Sequence, residues 1–401
     1  MRIVGIDTLR FEEHANLLIV RLRTDDGYVG LGETFFDPAA CEAYIHTTVA
    51  TDLLGATAID PNTVAQLLTP YVGYQGSGAE MRARSAIDIA VWDLLGRVTD
   101  LPLARLLGGA VRDDVPIYNT CAGYKYVQGP SGQAVKAWGL PRRAQPEGPY
   151  EDLEAFLTRP GELSLDLLEQ GINGMKIWPF DPYAERHGGL RIERAELAQG
   201  VAIVEAIRDA AGDRMDVMIE LHGLWNLTAA RRIAHALEDL DITWLEDPIR
   251  PDQDHALAQL TASTSIPIAG GETLTGAGSF RRLLDANAYD LPIVDPSWAG
   301  GVSEFVRIAN MSATYAQPIA AHDCTGPISL AACCHLAVSQ PNALIQEVVR
   351  AFYHGWYQDL VTTLPPINQG RIAPPPGPGL GLDLQPGLES RPGVRVRTSR
   401  L

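Results

Sequence analysis

Short apolar runs that end in a polar residue recur through the second half of the chain. They occupy residues 217–220, 242–246, 267–272, 291–295, 318–322 and 343–347. Their terminal residues are Glu220, Glu246, Glu272, Asp295, His322 and Glu347, at intervals of 26, 26, 23, 27 and 25. Helical patterns separate the runs, so they read as parallel strands joined by helices. A period of roughly 25–30 residues is one strand plus one helix, and the series predicts a closed (β/α)8 barrel of about 250 residues. Such barrels carry their catalytic groups at the C-terminal ends of the strands. Six polar side chains from six successive strands are therefore expected around one mouth.

Two earlier strands complete the set. Val115-Pro116-Ile117-Tyr118-Asn119-Thr120 is the first, and Gly174-Met175-Lys176-Ile177-Trp178 is the second. Helical patterns over 162–170 and 192–211 lead into the second and third. Residues 1–114 read differently. A β-rich run over 16–22 and another over 28–33 flank the turn Asp25-Asp26-Gly27, a hairpin signal. Residues 81–96 are apolar at helical spacing. The prediction is an α/β chain: an α+β cap over 1–114, then a barrel over 115–347. A long stretch over 123–150, rich in Gly, Pro, Lys and Arg, follows the first barrel strand and is expected to lie over the mouth. The tail from Gly370 is so rich in Pro and Gly that no regular structure is expected there.

Composition narrows the partners. The net charge is −17, which opposes binding to nucleic acid or an anionic membrane. No apolar run reaches ~18 residues, so no membrane span is expected. The first residues show no signal pattern. Five cysteines, an odd number in a chain of 401 residues, argue against a disulfide framework, and a reducing cytoplasm is expected.

The candidate chemistry sits on the strand ends. Glu220, Glu246 and Glu272 come from consecutive strands, and three converging carboxylates repel one another unless a cation lies between them. Oxygen ligands without Cys or His favour Mg²⁺. Asp295 and His322 end adjacent strands, close enough to hydrogen-bond. A carboxylate there fixes the imidazole tautomer and raises its basicity, as a general base requires. Lys176 is expected to hold an anionic substrate group or to act as a base. His222, two residues after Glu220, is expected to share its face through the strand period. Glu347 is expected to meet substrate if protonated, or Lys176 if not. Trp178, Trp225 and Tyr124 are candidate pocket walls.

These residues resemble the enolase superfamily, in its mandelate racemase-like subgroup, along essentially the whole chain. The resemblance is carried by residues 86–96, Leu106-Leu107-Gly108-Gly109, Gly174-x-Lys176, the three glutamates, Trp244-Leu245-Glu246-Asp247-Pro248, Gly271-Glu272, Asp295-x-x-x-x-Gly300-Gly301, His322, Glu347 and Pro378-Gly379-Leu380-Gly381. It implies a modified barrel, a capping domain that sets specificity, and a C-terminal segment, 348–401, that returns to the cap. It implies Mg²⁺-assisted removal of the proton beside a carboxylate, a small-molecule acid substrate and a homo-oligomer. Racemases of the subgroup resemble Lys-x-Lys on the second strand, but Trp178 stands at the second lysine position here. Glu220-Leu221-His222 is similar to acid-sugar dehydratases such as galactonate dehydratase. The roles implied are C2 proton removal by His322, set by Asp295, and protonation of the departing 3-hydroxyl by His222. Lys176, Glu347 and Mg²⁺ on the three glutamates would hold the carboxylate. The product expected from an aldonate or aldarate is a 2-keto-3-deoxy acid. A racemase or epimerase, and a non-catalytic protein of the same fold, are the alternatives.

Overall fold

The structure is a computed structural model, and it describes residues 1–57, 59–69, 76–129, 135, 138–140 and 148–401. Much of the 123–150 stretch expected over the mouth, and residues 70–75 of the cap, fall outside the described residues.

Three N-terminal strands form an antiparallel meander: β1 (Ile3–Phe11), β2 (Leu17–Thr24) and β3 (Val29–Phe35). The 21-residue helix Ala79–Thr99 packs on β3. Two glycines explain how closely. A Cβ on Gly32 would lie 1.9 Å from the Ala86 carbonyl oxygen, and one on Gly30 would lie 2.2 Å from that of Ala90. Alternate positions of the strand are thus left bare so that helix backbone can rest on strand backbone. Asp93, on the same helix, is fully buried and ties three segments together. It accepts from Leu31 N at 2.8 Å, from Leu380 N at 2.8 Å and from Arg97 Nε at 2.9 Å.

The barrel follows. Its strands are β4 (Val115–Thr120), β5 (Gly174–Ile177), β6 (Asp216–Glu220), β7 (Trp244–Glu246), β8 (Ile268–Gly270), β9 (Leu291–Val294), β10 (Ile319–Ala321) and β11 (Ala343–Val348). Each pairs in parallel with the next, and β11 pairs with β4, which closes the ring. A short hairpin, β12 (Ile367–Asn368) and β13 (Arg371–Ile372), adds antiparallel to β4. Side chains pointing inward fill the bore: Tyr118, Met218, Trp244, Ala269, Leu291, Ile293 and Ala320 pack together. The outward faces join the surrounding helices in one large core.

The expectation of an irregular tail is corrected. Gly and Pro do keep residues 373–387 free of helix and strand. The last residues, however, form β14 (Val394–Arg400), which pairs antiparallel with β1 from Phe11 opposite Val394 to Gly5 opposite Arg400. The Val-Arg-Val-Arg-Thr alternation that makes this strand lies beyond the Pro/Gly stretch. The chain's end thus becomes an edge of the cap sheet. Among the described residues no helix is long and apolar enough to cross a membrane.

Candidate active site

The C-terminal rim of the barrel carries the polar residues, and the bore beneath them is packed with mostly apolar side chains. Tyr118 and Trp244 meet edge to face, with ring centroids 5.4 Å apart. The Lys176 ammonium lies 5.7 Å from the Tyr118 ring centre, and Trp244 Nε1 donates to Glu246 Oε2 at 2.8 Å. The floor therefore satisfies one carboxylate oxygen and sets the charges on a packed apolar layer, where electrostatic interactions gain strength.

Glu220 and Glu246 close β6 and β7, and Glu272 stands two residues past β8. One carboxylate oxygen from each lies within 4.8 Å of the others. Burial, ahead of any other influence, pushes all three carboxyls up, Glu246 to about 8. A cluster that resists ionising alone is relieved by a cation, so this all-oxygen donor set fits a divalent metal. Glu220 is further fixed because its Oε1 accepts from Leu221 N at 2.9 Å and His222 N at 2.6 Å.

Lys176 sits among the acids. Its ammonium is 2.5 Å from Glu246, 2.9 Å from Glu347 and 3.5 Å from Glu220. Burial alone would lower its pKa, but Glu246 and Glu347 outweigh burial and raise it well above the ordinary lysine value. Glu347 is correspondingly held below the usual range, since Lys176 and His322 overcome the cost of burying it. It also accepts from Thr120 Oγ1 and, at 3.0 Å, from Asp323 N. Of the two pairings considered for Glu347, the structure has the one with Lys176.

His322 follows β10 directly. Its Nδ1 is 2.7 Å from Asp295 Oδ2, while Asp295 Oδ1 accepts from Ser297 N and Oγ, both at 2.6 Å. The carboxylate is locked from behind and in turn orients the ring. Nε2 faces the acidic triad, 3.3 Å from Glu272 Oε2. Burial opposes protonation of His322, but Glu272, Glu347 and Asp295 prevail and raise its pKa well above the ordinary value. Trp298 lies against the ring at 5.0 Å between centroids.

His222 reaches the mouth by a different route from the one expected. The strand ends at Glu220, so the two-residue period no longer applies. His222 instead adopts a left-handed backbone, φ 49°, an uncommon conformation for a residue with a Cβ. Its Nδ1 lies 2.7 Å from Asp181 Oδ2. Asp181 opens the helix Asp181–His187, which follows β5, and is fully buried. Burial works against the imidazolium, yet Asp181 and Glu220 push its pKa up to about 10. Asp181 is the functional-looking residue that the sequence reading missed. The available signal was Asp181-Pro182, a helix-start pair shortly after a barrel strand.

The candidate walls divide. Trp178 packs among Tyr126, Trp138 and Phe156 and stands edge-on to His222 at 5.8 Å. Trp225 lines an outer recess with Leu190 and Gln253. Tyr124 leaves no room for a Cβ on Gly148 or Gly355, at 2.2 and 2.6 Å. Beside Glu272 opens a cavity of about 510 Å³ that is also lined by His222 and Arg82. A second cleft, about 460 Å³ between the cap helices and the barrel, holds none of the residues expected to be catalytic.

A capped, closed barrel with carboxylates and imidazoles on successive strand ends defines an enolase-type scaffold. Comparison with known families agrees. Residues 8–108 match the mandelate racemase/muconate lactonizing enzyme N-terminal domain, and residues 162–388 match the enolase C-terminal domain-like family. The chain belongs to the enolase superfamily, in its mandelate racemase subgroup. It is 31% identical to D-xylonate dehydratase of Haloferax volcanii, covering 95% of this chain and 86% of that one. It is 30% identical to D-galactonate dehydratase of Ralstonia nicotianae, covering 97% and 93%. An enolase of the mandelate racemase subgroup from Agrobacterium tumefaciens superposes with a TM-score of 0.87 at 40% identity, covering 100% and 99%.

Proposed function

We propose that this protein dehydrates an acid sugar, an aldonate or aldarate, to a 2-keto-3-deoxy acid. The observation that carries the reading is a pair of carboxylate–imidazole dyads, Asp295–His322 and Asp181–His222, flanking one acidic triad. Elimination of water needs one base and one acid, because hydroxide leaves poorly unless protonated. Similarity to dehydratases of two acid sugars supports the same class.

Glu220, Glu246 and Glu272 would hold Mg²⁺. That ion would supply positive charge to the substrate carboxylate as negative charge develops there, and would relieve the pull of Glu272 on His322. His322 Nε2 takes the C2 proton, and the electron pair moves into the carboxylate to give an enediolate. Lys176, held as an ammonium by Glu246 and Glu347, donates to that carboxylate. The enediolate collapses, the C3–O bond breaks, and the imidazolium of His222 protonates the leaving oxygen to give water. The enol then tautomerises to the ketone. Trp178 stands where racemases of the subgroup carry a second lysine and cannot take a proton, which weighs against the racemase reading.

The test is turnover of a panel of mono- and diacid sugars by the Mg²⁺-loaded protein, read as 2-keto-3-deoxy acid. Dehydration of at least one acid, lost in His322→Asn, is expected. Epimerisation or racemisation without loss of water would overturn the proposal.

A further inference from the structure

The mouth carries a cation that the proton transfers do not use. Arg82 lies in the first turn of the helix Ala79–Thr99 and lines the same cavity as His222 and Glu272. Its guanidinium stands over two rings, 5.6 Å from the centre of Phe36 and 5.3 Å from that of Trp298. These rings are built to be there. Phe36 and Asp37, at the end of β3, both adopt left-handed backbone, φ 67° and 51°, a strained pair of the kind that clusters at ligand clamps. Trp298 is pinned by its Nε1 donating to Phe35 O at 3.1 Å. The charge partner of Arg82 is poor. Asp37 approaches only to 3.4 Å, and its side chain is 61% exposed, a geometry worth little. The planar donors of Arg82 are thus oriented by aromatic packing and, among the described residues, keep hydrogen-bonding capacity at the cavity that Arg82 lines.

We infer that Arg82 grips a second carboxylate, at the end of the substrate remote from the reacting carbon, so that the preferred substrates are diacid sugars. This rests on the dehydratase reading and narrows it. Reach supports the assignment. The Arg82 guanidinium and the His322 ring both lie near the Trp298 ring, 5.3 and 5.0 Å from its centre, so the two are no more than about 10 Å apart. In a six-carbon diacid, four C–C bonds of about 1.5 Å in zigzag carry C2 to the far carboxylate across about 5 Å. A hydrogen-bond length of about 3 Å at each end completes the span. A fork of donors matches a carboxylate in two parallel hydrogen bonds, which a terminal CH₂OH cannot accept.

The test compares galactarate and glucarate with galactonate, gluconate and xylonate on the Mg²⁺-loaded wild type, Arg82→Lys and Arg82→Gln. A diacid should be the best substrate. Arg82→Gln should raise its KM about 100-fold, with a much smaller change in kcat. Arg82→Lys should recover part of the loss, and monoacids should suffer far less than the diacid. A wild type that prefers monoacids overturns the inference. So does an Arg82→Gln variant that slows both classes alike, as a mere staple between cap and barrel would. If Arg82→Gln does not fold, the wild-type preference and the Arg82→Lys KM still decide. Dehydration of monoacids alone would sink this inference and leave the dehydratase reading intact. No turnover and no C2 exchange with any acid would sink both.

Discussion

At the scale of single residues, the site is two imidazoles with unequal surroundings. His322 points Nε2 at the triad and is oriented by Asp295, while Asp181 holds His222 and, with Glu220, pushes its pKa up to about 10. Asp181 meets His222 and not the reacting carbon in the proposed roles, so its loss should separate the two half-reactions. Asp181→Asn keeps the shape and removes the charge. Dehydration should fall about 100-fold, while exchange of the C2 proton by His322 persists. An equal fall in both steps, measured by NMR in D₂O, would deny Asp181 this role. The six strand-end residues were legible because each closes an apolar run and their spacing placed them on one rim, and Lys176 because it is the one charged residue within the second strand's run. Asp181 was not, because its partner comes from another βα loop, and no linear pattern links Asp181 to His222. The location of His222 was anticipated, but its cause, a left-handed residue after the strand, depends on backbone geometry that an alternating pattern does not encode.

At the scale of elements, the cap depends on contacts in which side chains are missing rather than present. Gly30 and Gly32 let the helix Ala79–Thr99 sit on β3, and Asp93 on that helix binds both β3 and the C-terminal segment. Gly32→Ala places a methyl 1.9 Å from a backbone oxygen. It should destabilise the fold by about 3 kcal/mol, read by urea denaturation. A change within experimental error would mean that the helix shifts freely. The hairpin and helix of the cap were legible from their periodicities. The pairing of β14 with β1 was not, since it joins the two ends of the chain and follows a segment where Pro and Gly erase any period.

At the scale of the whole molecule, cap and barrel meet around a buried acid. Glu33, from β3, accepts from Ile328 N at 3.1 Å and Ser329 N at 3.3 Å, at the start of the helix Pro327–Ser339 that follows β10. Burial pushes its pKa up to about 8. A raised carboxyl binds its proton more tightly when folded, so its contribution is complete below the ordinary value near 4.5. That contribution is lost as pH rises toward 8. The stability of the wild type relative to Glu33→Gln should therefore fall by up to roughly 4 kcal/mol between pH 5 and pH 8. A pH-independent difference in denaturation would refute the protonated form. Metal should act in the opposite sense to this loss. Chelation with EDTA should lower the melting temperature, and Mg²⁺ should restore it by binding only the folded triad. An unchanged melt would argue against a metal on Glu220, Glu246 and Glu272.

The central claim is that one imidazole removes the C2 proton and the other delivers a proton to the departing hydroxyl. The most direct measurement is proton NMR in D₂O of the best acid-sugar substrate with wild type and His222→Asn, each loaded with Mg²⁺. The account predicts dehydration by the wild type, and by His222→Asn C2 deuterium exchange with dehydration abolished. Undiminished dehydration by His222→Asn, or loss of both exchange and dehydration in a folded variant, would contradict it.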